Sequence, residues 1–433
     1  MKATVLGAGL AGSEAAWQLA ENKVKVSLYE MRPKKMTPAH NTDKFAELVC
    51  SNSFRADRLE NAAGLLKEEM RLLNSLILKA ADYNRVPAGG ALAVDREGFS
   101  AYITEKITSH PNIKLIRREV EKIPNDQHVI IATGPLTSDP LFENIAKLVK
   151  TDHLYFYDAA APIISYDSIN HDKVFKGSRY NRGDDYINCP MNKEQYLNFY
   201  NELIKAETAP IHEFEDIKLF EACMPIESMA KRGVDTLRYG PLKPVGFREL
   251  LGGQDPYAIV QLRQDNAEAS LYNMVGFQTR LKFKEQKRVF SMIPGLENLE
   301  IVRYGVMHRN TFIDSPRLLD KYYRLRANKA IYFAGQITGV EGYIESAASG
   351  LVSALNLSRV LAGKEPLDFT NRTAIGALAN YISNPTIKDF QPMNINYKII
   401  EPLEHRIPNK AERNKMISQR ALNTLKDIIE REM

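Results

Sequence analysis

The first thirty residues alternate between strand and helix patterns. KATVL at residues 2–6 is an apolar run of strand length, and the glycine turn GAGLAG follows at residues 7–12. SEAAWQLAENK carries its alanines and leucine on one side, as a helix does, and VKVSLYE alternates apolar and polar residues, as a strand does. The pattern predicts a compact strand–helix–strand unit that ends at Glu30.

Later stretches extend this architecture. HVIIATGP at residues 128–135 is typical of a buried strand, and residues 330–361 predict a strand, a glycine-rich loop and a long helix of small residues. Between them, YFYDAAAPIISY and YAIVQLRQ have strand character and predict a mixed inserted domain. The final stretch, AERNKMISQRALNTLKDIIEREM, predicts a helix.

The composition limits the classes of protein to which the chain can belong. The 433 residues are 44% hydrophobic and 26% charged, which is typical of a folded chain with more than one packed unit. No apolar run approaches the ~20 residues that span a bilayer, and the first residues lack a signal-peptide layout. Three cysteines without paired spacing indicate a reducing compartment, so we expect a cytoplasmic protein without membrane contact. No Cys/His cluster has metal-site spacing, so no metal is expected.

The glycine turn predicts a dinucleotide site because it lies between a strand and a helix. Its glycines permit a tight turn, close approach of the backbone to a pyrophosphate, and close helix packing. Glu30 lies 18 residues past Gly12, near the spacing of an acid that binds a ribose hydroxyl. The predicted phosphate-binding residues are Gly7, Ala8, Gly9, Leu10, Ala11 and Gly12.

Two further glycine-containing turns indicate which dinucleotide cofactor is expected. Thr133 and Gly134 end the strand at residues 128–135, and the second turn precedes the long helix. The N-terminus of that helix is suited to an electron-rich group such as the pyrimidine edge of a flavin. An NAD domain alone would not need this return of the chain. Together with the first glycine turn, these two pieces resemble the glutathione-reductase-like FAD-binding fold. The resemblance implies FAD, with further binding residues Gly335, Gln336, Gly342 and Tyr343.

The predicted fold class is thus α/β, with a glutathione-reductase-like FAD-binding Rossmann domain and an inserted mixed α/β domain. We expect residues 1–150 to form the first part of the FAD-binding domain. Residues 151–325 are expected to form the inserted substrate domain. Residues 326–433 are expected to supply the return segment and the C-terminal tail.

The cysteines are the candidate nucleophiles. Cys50 precedes Ser-Asn-Ser, so we expect it at a helix start, where a thiolate is stabilised. Cys223, in FEACMPIESMAKRG, precedes a proline turn and a basic loop, which also favours reactivity. Either thiol has the alternative of ordinary burial, and Cys189 is interpreted as structural.

A basic tract covers residues 278–330. Twelve Lys/Arg oppose five Asp/Glu there, a net charge of +7, whereas the whole chain carries +5. Such a tract is typical of a polyanion partner, although a solvated surface gives the same pattern.

Eight sequence blocks resemble one family. They run in the family's order from residue 7 to about residue 350: GAGLAGSEAA, ELVCSNSFR, GGALAVDREGFS, FEACMPIESMAKRG, TLRYGPLKPVG, NMVGFQTRL, RYGVMHRNTFI and FAGQITGVEGYIESAASGL. Together they resemble the folate- and FAD-dependent tRNA (uracil-5-)-methyltransferases, the TrmFO family. Its two cysteines fall here at Cys50 and Cys223.

The resemblance implies a specific reaction. Family members move a one-carbon unit from 5,10-methylenetetrahydrofolate to C5 of a T-loop uridine (position 54) in tRNA. Reduced FAD is the reductant, and NAD(P)H reduces the flavin. A thiolate that adds at uracil C6 gives C5 the carbanion character that this transfer needs. We assign that role to Cys223 and a second role to Cys50, with the reverse assignment left open.

Other site residues follow from the same chemistry. Arg232 and Arg309 are alternative donors to the uracil C4 carbonyl. Tyr343, Tyr304 and Phe277 are candidates for stacking on the pteridine. The basic tract is expected to follow the tRNA backbone, and the uridine is expected to flip out of its stack.

Three alternatives stay open at this point. The same chemistry on a ribosomal RNA uridine uses the same flavin motifs. A flavoprotein oxidoreductase without an RNA substrate would make the basic tract incidental. A flavin-loaded RNA-binding protein without turnover would not need either cysteine. The oligomeric state and the choice between NADH and NADPH do not follow from the sequence.

Overall fold

The structure is a computed structural model that describes residues 1–124, 128–149, 154–209, 224–253, 255–388 and 390–432. The strands are short and fall into four sheets. They are β1 (Lys2–Leu6), β2 (Lys25–Glu30), β3 (Ser53–Ala56), β4 (Arg85–Val86), β5 (Ala91–Val94), β6 (Ile113–Arg117), β7 (Val129–Ile131), β8 (Leu154–Ala159), β9 (Ile163–Ser165), β10 (Phe175–Lys176), β11 (Tyr186–Met191), β12 (Ala258–Gln264), β13 (Leu271–Met274), β14 (Ile301–Arg303), β15 (Met307–Phe312) and β16 (Ile331–Phe333).

The helices range from one turn to six turns. They are α1 (Leu10–Glu21), α2 (Ala62–Leu72), α3 (Leu76–Tyr83), α4 (Arg96–Ser109), α5 (Asp139–Val149), α6 (Lys193–Lys205), α7 (Ile226–Ala230), α8 (Thr236–Tyr239), α9 (Phe283–Phe290), α10 (Ser315–Leu318), α11 (Tyr343–Leu361), α12 (Ala374–Ile382) and α13 (Lys410–Glu432).

A five-stranded parallel sheet forms the first domain, in the order β16-β7-β1-β2-β6. Val5 in the central strand lies opposite Leu28 in β2 on one side and Ile130 in β7 on the other. The chain reverses its direction of winding at β1, so the carboxyl ends of β1, β7 and β16 border a crevice. This sheet confirms the predicted Rossmann-type α/β unit and its return at residues 330–361.

Helices α1 and α11 pack against each other over this sheet. A Cβ at Gly350 would overlap the carbonyl group of Ala11, so glycine permits the close approach of the two backbones. A Cβ at Gly12 would likewise overlap the carbonyl of Gly7. The glycine turn and the start of α11 are therefore held in a fixed relation.

The segment between β7 and β16 carries a second core. Six antiparallel strands have the order β10-β11-β12-β13-β9-β14, and β8 pairs with β15 in a separate ribbon. Helices α6 and α9 pack on this sheet through Phe199 and Phe290, which are fully buried. The inserted unit is mixed α/β, as the sequence predicts.

Candidate functional site

A cavity of about 320 Å³ opens at the carboxyl ends of β1, β7 and β16. Twelve predicted site residues line it: Gly7, Gly9, Leu10, Ala11, Glu30, Cys50, Thr133, Gly134, Gly335, Gln336, Gly342 and Tyr343. The remaining two described ones, Ala8 and Gly12, lie within the glycine turn behind it. The volume falls in the range of small-molecule and cofactor sites.

The glycine turn has the geometry of a phosphate cradle. Gly7 has a φ of +92°, which disfavours a side chain, and a Cβ on it would press on the Ala132 carbonyl. A Cβ at Gly9 would meet no atom within 4 Å, so the backbone there faces open space. Gly9 also has no side chain to cap α1, and the first N–H groups of that helix remain for an anion.

Glu30 is held as a carboxylate at the end of β2. Its Oε2 accepts the N–H of Ala8 at 3.0 Å, and its Oε1 accepts the backbone N–H and the Nε of Arg32 at 3.0 and 3.1 Å. Burial opposes its ionisation, yet the pKa of Glu30 is lowered because Arg32 and these N–H donors outweigh burial. An ionised acid beside the turn suits a ribose hydroxyl.

The second helix start lies across the cavity from α1. Gly342, at φ +107°, precedes α11, and Glu341 accepts a hydrogen bond from Gln336 Nε2 at 2.6 Å. Gly335 N donates to Ser349 Oγ at 2.6 Å, which fixes the preceding turn. Two helix N-termini thus point at one cavity, an arrangement that fits an elongated, anionic cofactor such as FAD.

Cys50 and Tyr343 meet in this cavity. Tyr343 Oη accepts the backbone N–H groups of Cys50 and Ser51 at 2.9 and 3.1 Å, and Cys50 Sγ lies 3.0 Å from the same oxygen. These two N–H groups occupy both lone pairs of the Tyr343 oxygen. The hydroxyl proton is therefore available to donate a hydrogen bond to the Cys50 sulfur. Burial and the neighbouring Cys50 raise the pKa of Tyr343 well above its usual range, so it remains a donor. This contact stabilises a thiolate.

Cationic side chains surround the Cys50 loop. Arg96 lies in the electrostatic field of Cys50 and Tyr343 and donates to Asp265 at 2.8 Å and to the Leu48 carbonyl at 2.5 Å. Arg263 reaches from β12 to Ser51 Oγ at 2.8 Å. The loop is therefore tied to the inserted domain, and the thiol lies at the junction of the two cores.

The structure corrects the local setting of Cys50. Residues 46–52 form a loop that leads into β3, and no helix begins there. The Ser-Asn-Ser sequence does not cap a helix, because Asn52 bonds to Val94 and Gln264 carbonyls at 3.0 and 2.9 Å instead. The expected helix start is wrong, and the tyrosine hydroxyl supplies the stabilising donor in its place.

One network of residues at the cavity wall was missed by the sequence reasoning. Arg55, at φ +63°, pairs with Glu345, whose side chain is fully buried. Lys67 is also buried, and its Nζ donates to the Phe54 and Ala56 carbonyls at 2.9 and 2.6 Å, on either side of Arg55. Burial lowers the pKa of Lys67 to about 7. The one signal in the sequence was the position of Arg55 in the block ELVCSNSFR.

Other predicted residues lie elsewhere. Cys223 falls outside the described residues, as does the side chain of Arg309. Cys189 is fully buried in the core of the inserted domain, and burial raises the pKa of its thiol, which confirms a structural role. Arg232 is exposed and does not line the cavity.

The two other stacking candidates do not line the cavity either. Phe277 is fully buried and packs edge-on against Phe290 at 5.2 Å, so the prediction of a pteridine platform there is wrong. Tyr304 stacks on Phe283 at 4.6 Å. Tyr343 alone of the three borders the cavity.

Ion pairs offset much of the positive charge of the basic tract. The lysines and arginines of the tract pair with acids inside the tract and with acids that are distant in the sequence. The pairs are Lys282–Glu207, Arg288–Glu202, Arg288–Glu285, Arg317–Asp314, Lys321–Asp368 and Arg324–Asp320. The tract therefore presents less uncompensated charge than its composition indicates, and its contact with RNA stays a prediction.

Two findings concern other classes of site. Among the described residues, no helix has both the length and the apolar character needed to cross a bilayer. The same residues contain no group of three or more His, Cys, Asp or Glu side chains placed to hold a metal ion.

The parallel sheet, the glycine turn and the cavity define an α/β protein of the FAD-binding Rossmann class. GidA of Aquifex aeolicus shares this fold: in one crystal form it superposes with a TM-score of 0.70 at 16% identity, covering 99% of this chain and 78% of that chain. A second crystal form gives a TM-score of 0.69, with coverage of 99% and 75%.

Sequence comparison identifies the family. A family model described as glucose inhibited division protein A matches residues 2–365. A Ligilactobacillus salivarius protein described as methylenetetrahydrofolate–tRNA-(uracil-5-)-methyltransferase TrmFO is 59% identical over 423 residues, 98% of this chain and 97% of that protein. A protein of the same description from Acetivibrio thermocellus is 59% identical over 426 residues, 98% of each chain. The chain belongs to the TrmFO family.

Proposed function

We propose that this protein is a cytoplasmic methylenetetrahydrofolate–tRNA-(uracil-5-)-methyltransferase. It transfers a one-carbon unit from 5,10-methylenetetrahydrofolate to C5 of a T-loop uridine in tRNA, with NAD(P)H as the source of electrons. Relatives that carry this name at 59% identity support the proposal. The observation that carries it is the thiol of Cys50, held beside a tyrosine hydroxyl in a cavity suited to FAD.

FAD, when bound, supplies the electrons that reduce the transferred carbon to a methyl group. The residues present fit this cofactor: the N-termini of α1 and α11 for its anionic parts, and Glu30 for a ribose hydroxyl. Gly9 leaves the start of α1 open to the cavity, and Gly342 allows the close approach of Glu345, on which a Cβ would press. The cavity is thus matched to a long ligand that runs between the two helices.

The chain's own residues activate the uracil. A thiolate of Cys50 adds to uracil C6, and the electron pair of the C5–C6 bond moves toward C5 and the C4 oxygen. C5 then attacks the one-carbon unit, and a base removes the C5 proton as the carbon–nitrogen bond to tetrahydrofolate breaks. Once the exocyclic carbon has been reduced to a methyl group, elimination of the thiolate restores the C5–C6 double bond. Tyr343 donates to the sulfur before addition and can do so again as the thiolate departs.

This assignment of the cysteines reverses the one favoured by the sequence. Cys50 has a hydroxyl donor at 3.0 Å and Arg96 in its electrostatic field, which is the setting of a reactive thiolate. Cys223, which lies outside the described residues, then takes the second role as the base that removes the C5 proton.

Adduct formation separates the two assignments. Cys50→Ala, Cys223→Ala and the control Cys189→Ala are each incubated with tRNA that contains 5-fluorouridine, in which the C5 proton cannot be removed. We expect a covalent protein–RNA band for Cys223→Ala and Cys189→Ala and no band for Cys50→Ala. A band that disappears only in Cys223→Ala would restore the original assignment.

Product analysis tests the reaction itself. Unmodified tRNA and ribosomal RNA are incubated separately with the protein, FAD, methylenetetrahydrofolate and NAD(P)H, and 5-methyluridine is measured by mass spectrometry. We expect the product in tRNA alone. Product in ribosomal RNA alone would show that ribosomal RNA, and not tRNA, is the substrate. NAD(P)H oxidation at a rate independent of folate and RNA would indicate a flavoprotein oxidoreductase instead of a methyltransferase.

A further inference from the structure

Two loops of the inserted domain interlock on its surface. We name them the interlocked loops: residues 176–184, and residues 239–253. Arg179 holds them together by donating from one loop to the carbonyls of Lys243 and Val245 in the other, at 2.5 and 2.9 Å. The N–H of Tyr180 donates to the Gly246 carbonyl at 2.8 Å. The two loops therefore form one fixed surface.

Exposed apolar side chains concentrate on this surface. Tyr180 is 59% exposed, Tyr239 83%, Val245 46% and Leu250 39%. These are four of the twelve large hydrophobic side chains that are exposed in the described part of the chain, although the loops contain only 24 residues. A clustered set of this kind indicates an interaction site, whereas single exposed residues do not.

Tyr180 is also held in an uncommon backbone conformation. It has a φ of +62°, and Asn181 follows at +52°. Asparagine adopts this region readily, but a bulky aromatic residue does so rarely. The loop thus keeps a strained tyrosine on the surface, with the guanidinium of Arg182 at 5.6 Å from its ring centre. Strain of this kind is concentrated at functional positions.

The charge of the interlocked loops is positive. Five Lys/Arg oppose two acids, Asp184 and Glu249, so that 24 residues carry +3. The cations Lys176, Arg182, Lys243 and Arg248 are exposed. Ion pairs offset the longer basic tract, whereas Arg179 and Arg248 here donate to backbone carbonyls, which carry no net charge. The surface is complementary to a polyanion.

A chain of side-chain contacts links the first interlocked loop to the cavity wall. Directly after the first loop, Asp185 accepts the N–H of Gly89 at 2.5 Å, and Tyr186 donates to the Ala88 carbonyl at 3.1 Å. Tyr186 also contacts Arg263, whose other end reaches Ser51 beside Cys50. A ligand that lies on the loops is therefore connected with the reactive thiol through a short chain of side chains.

We propose that the interlocked loops are a docking surface for the looped part of the tRNA substrate. This rests on the proposed function and extends it by assigning the surface. Exposed aromatic rings stack on unpaired bases, and the arginines and lysines contact the phosphates between them. Tyr180 and Arg182 are the central pair, and Lys243 extends the phosphate contacts on the neighbouring loop.

Binding of unmodified tRNA, measured by fluorescence anisotropy at several salt concentrations, tests this surface. The variants are Tyr180→Asn, which suits the backbone conformation and removes the ring, and the double variant Arg182→Ser/Lys243→Ser. Controls are Tyr83→Asn, which removes a tyrosine that is 77% exposed on α3, and Lys79→Ser on the same helix. Thermal melting checks that each variant is folded.

We expect Tyr180→Asn to weaken tRNA binding about tenfold with an unchanged salt dependence. The double variant should weaken binding and reduce the slope of log affinity against log salt by about two. The α3 controls should bind as the parent protein does. A parent protein that does not bind tRNA would overturn the proposed function together with the surface.

Other outcomes overturn the surface alone. Tight tRNA binding by both loop variants would place the RNA elsewhere. Equal losses in loop and α3 variants would indicate unspecific electrostatic attraction. Unchanged tRNA binding with a loss of self-association in analytical ultracentrifugation would make the loops an interface between copies of the chain.

Discussion

Tyr343 Oη lies 3.0 Å from Cys50 Sγ, although the two residues are 293 positions apart in the chain. Tyr343 is the first residue of α11, and Cys50 lies in a loop before β3. The fold brings together a thiol, a hydroxyl donor and a helix N-terminus at one wall of the cavity. Several consequences of this arrangement are measurable.

Tyr343→Phe removes the donor to the sulfur and the acceptor of two backbone N–H groups. We expect a decrease of about 10- to 100-fold in 5-methyluridine formation, and slower alkylation of Cys50 by iodoacetamide at neutral pH. Tyr196→Phe is the control, since that hydroxyl donates to the Val234 carbonyl in the inserted domain. Unchanged alkylation of Cys50 in Tyr343→Phe would contradict the thiolate role.

Arg55→Met leaves the buried carboxylate of Glu345 without its cation. We expect a destabilisation of about 1–3 kcal/mol, discounted because Arg55 is partly exposed, together with weaker FAD binding. The double variant Arg55→Met/Glu345→Met should recover part of the lost stability. Thermal unfolding and flavin fluorescence titration measure both effects. A double variant less stable than Arg55→Met would argue against this coupling.

Lys67→Met removes a buried amine whose pKa is lowered from 10.5 to about 7 by burial. Between these pH values the unfolded chain binds more protons than the folded chain, so the free energy of unfolding rises with pH. The contribution is at most about 1.4 kcal/mol per pH unit, and it is absent below pH 7, where both states are charged.

The parent protein should therefore gain stability from pH 7 to 10 relative to Lys67→Met. Lys79→Met, which changes an exposed lysine on α3, is the matched control and should follow the parent curve. Chemical unfolding at pH 7, 8, 9 and 10 gives the comparison. Parallel curves for Lys67→Met and the parent would show that Lys67 titrates as an exposed lysine does.

Glu69→Gln tests a group whose raised pKa makes the free energy of unfolding fall as the pH rises, the opposite of the effect of Lys67. Glu69 is fully buried and accepts the N–H groups of Ala374 and Ile375 at 2.8 Å each, and burial raises its pKa to about 8. From pH 4.5 to 8 the folded chain binds more protons, so stability falls as pH rises. Glutamine imitates the protonated acid and should flatten this dependence.

The measurement for Glu69→Gln is the thermal unfolding midpoint from pH 5 to 8. We expect the variant to gain on the parent protein as pH rises. Glu68→Gln on the same helix, which alters a half-exposed acid paired with Arg71, should leave the pH dependence unchanged. A constant difference between Glu69→Gln and the parent at every pH would contradict a raised pKa.

Local sequence patterns predicted the first domain well. The strand, glycine turn and helix at residues 2–21 need only their own residues, because glycine conformation and apolar periodicity are local properties. The return strand and α11 were recognised for the same reason. The predicted elements appear within a few residues of their expected bounds, as at β7 and α13.

Contacts between distant residues were not predictable from these patterns. Cys50 was expected at a helix start, but Tyr343 and Arg263 hold its loop from positions more than 200 residues away. The basic tract appeared as one charged surface because its composition is local, whereas Glu207 and Asp368 offset it from outside. The Arg55–Glu345 pair escaped notice for the same reason.

The 293-residue separation of Cys50 and Tyr343 also orders events during protein synthesis. At about 5–20 residues per second, the ribosome makes the thiol roughly 15–60 s before its hydroxyl partner. During that interval the strand that completes the sheet, β16, and the helix that carries the tyrosine do not yet exist. The thiol therefore acquires its activating donor only after about four-fifths of the chain has been made, so the nascent protein carries an unactivated cysteine until then.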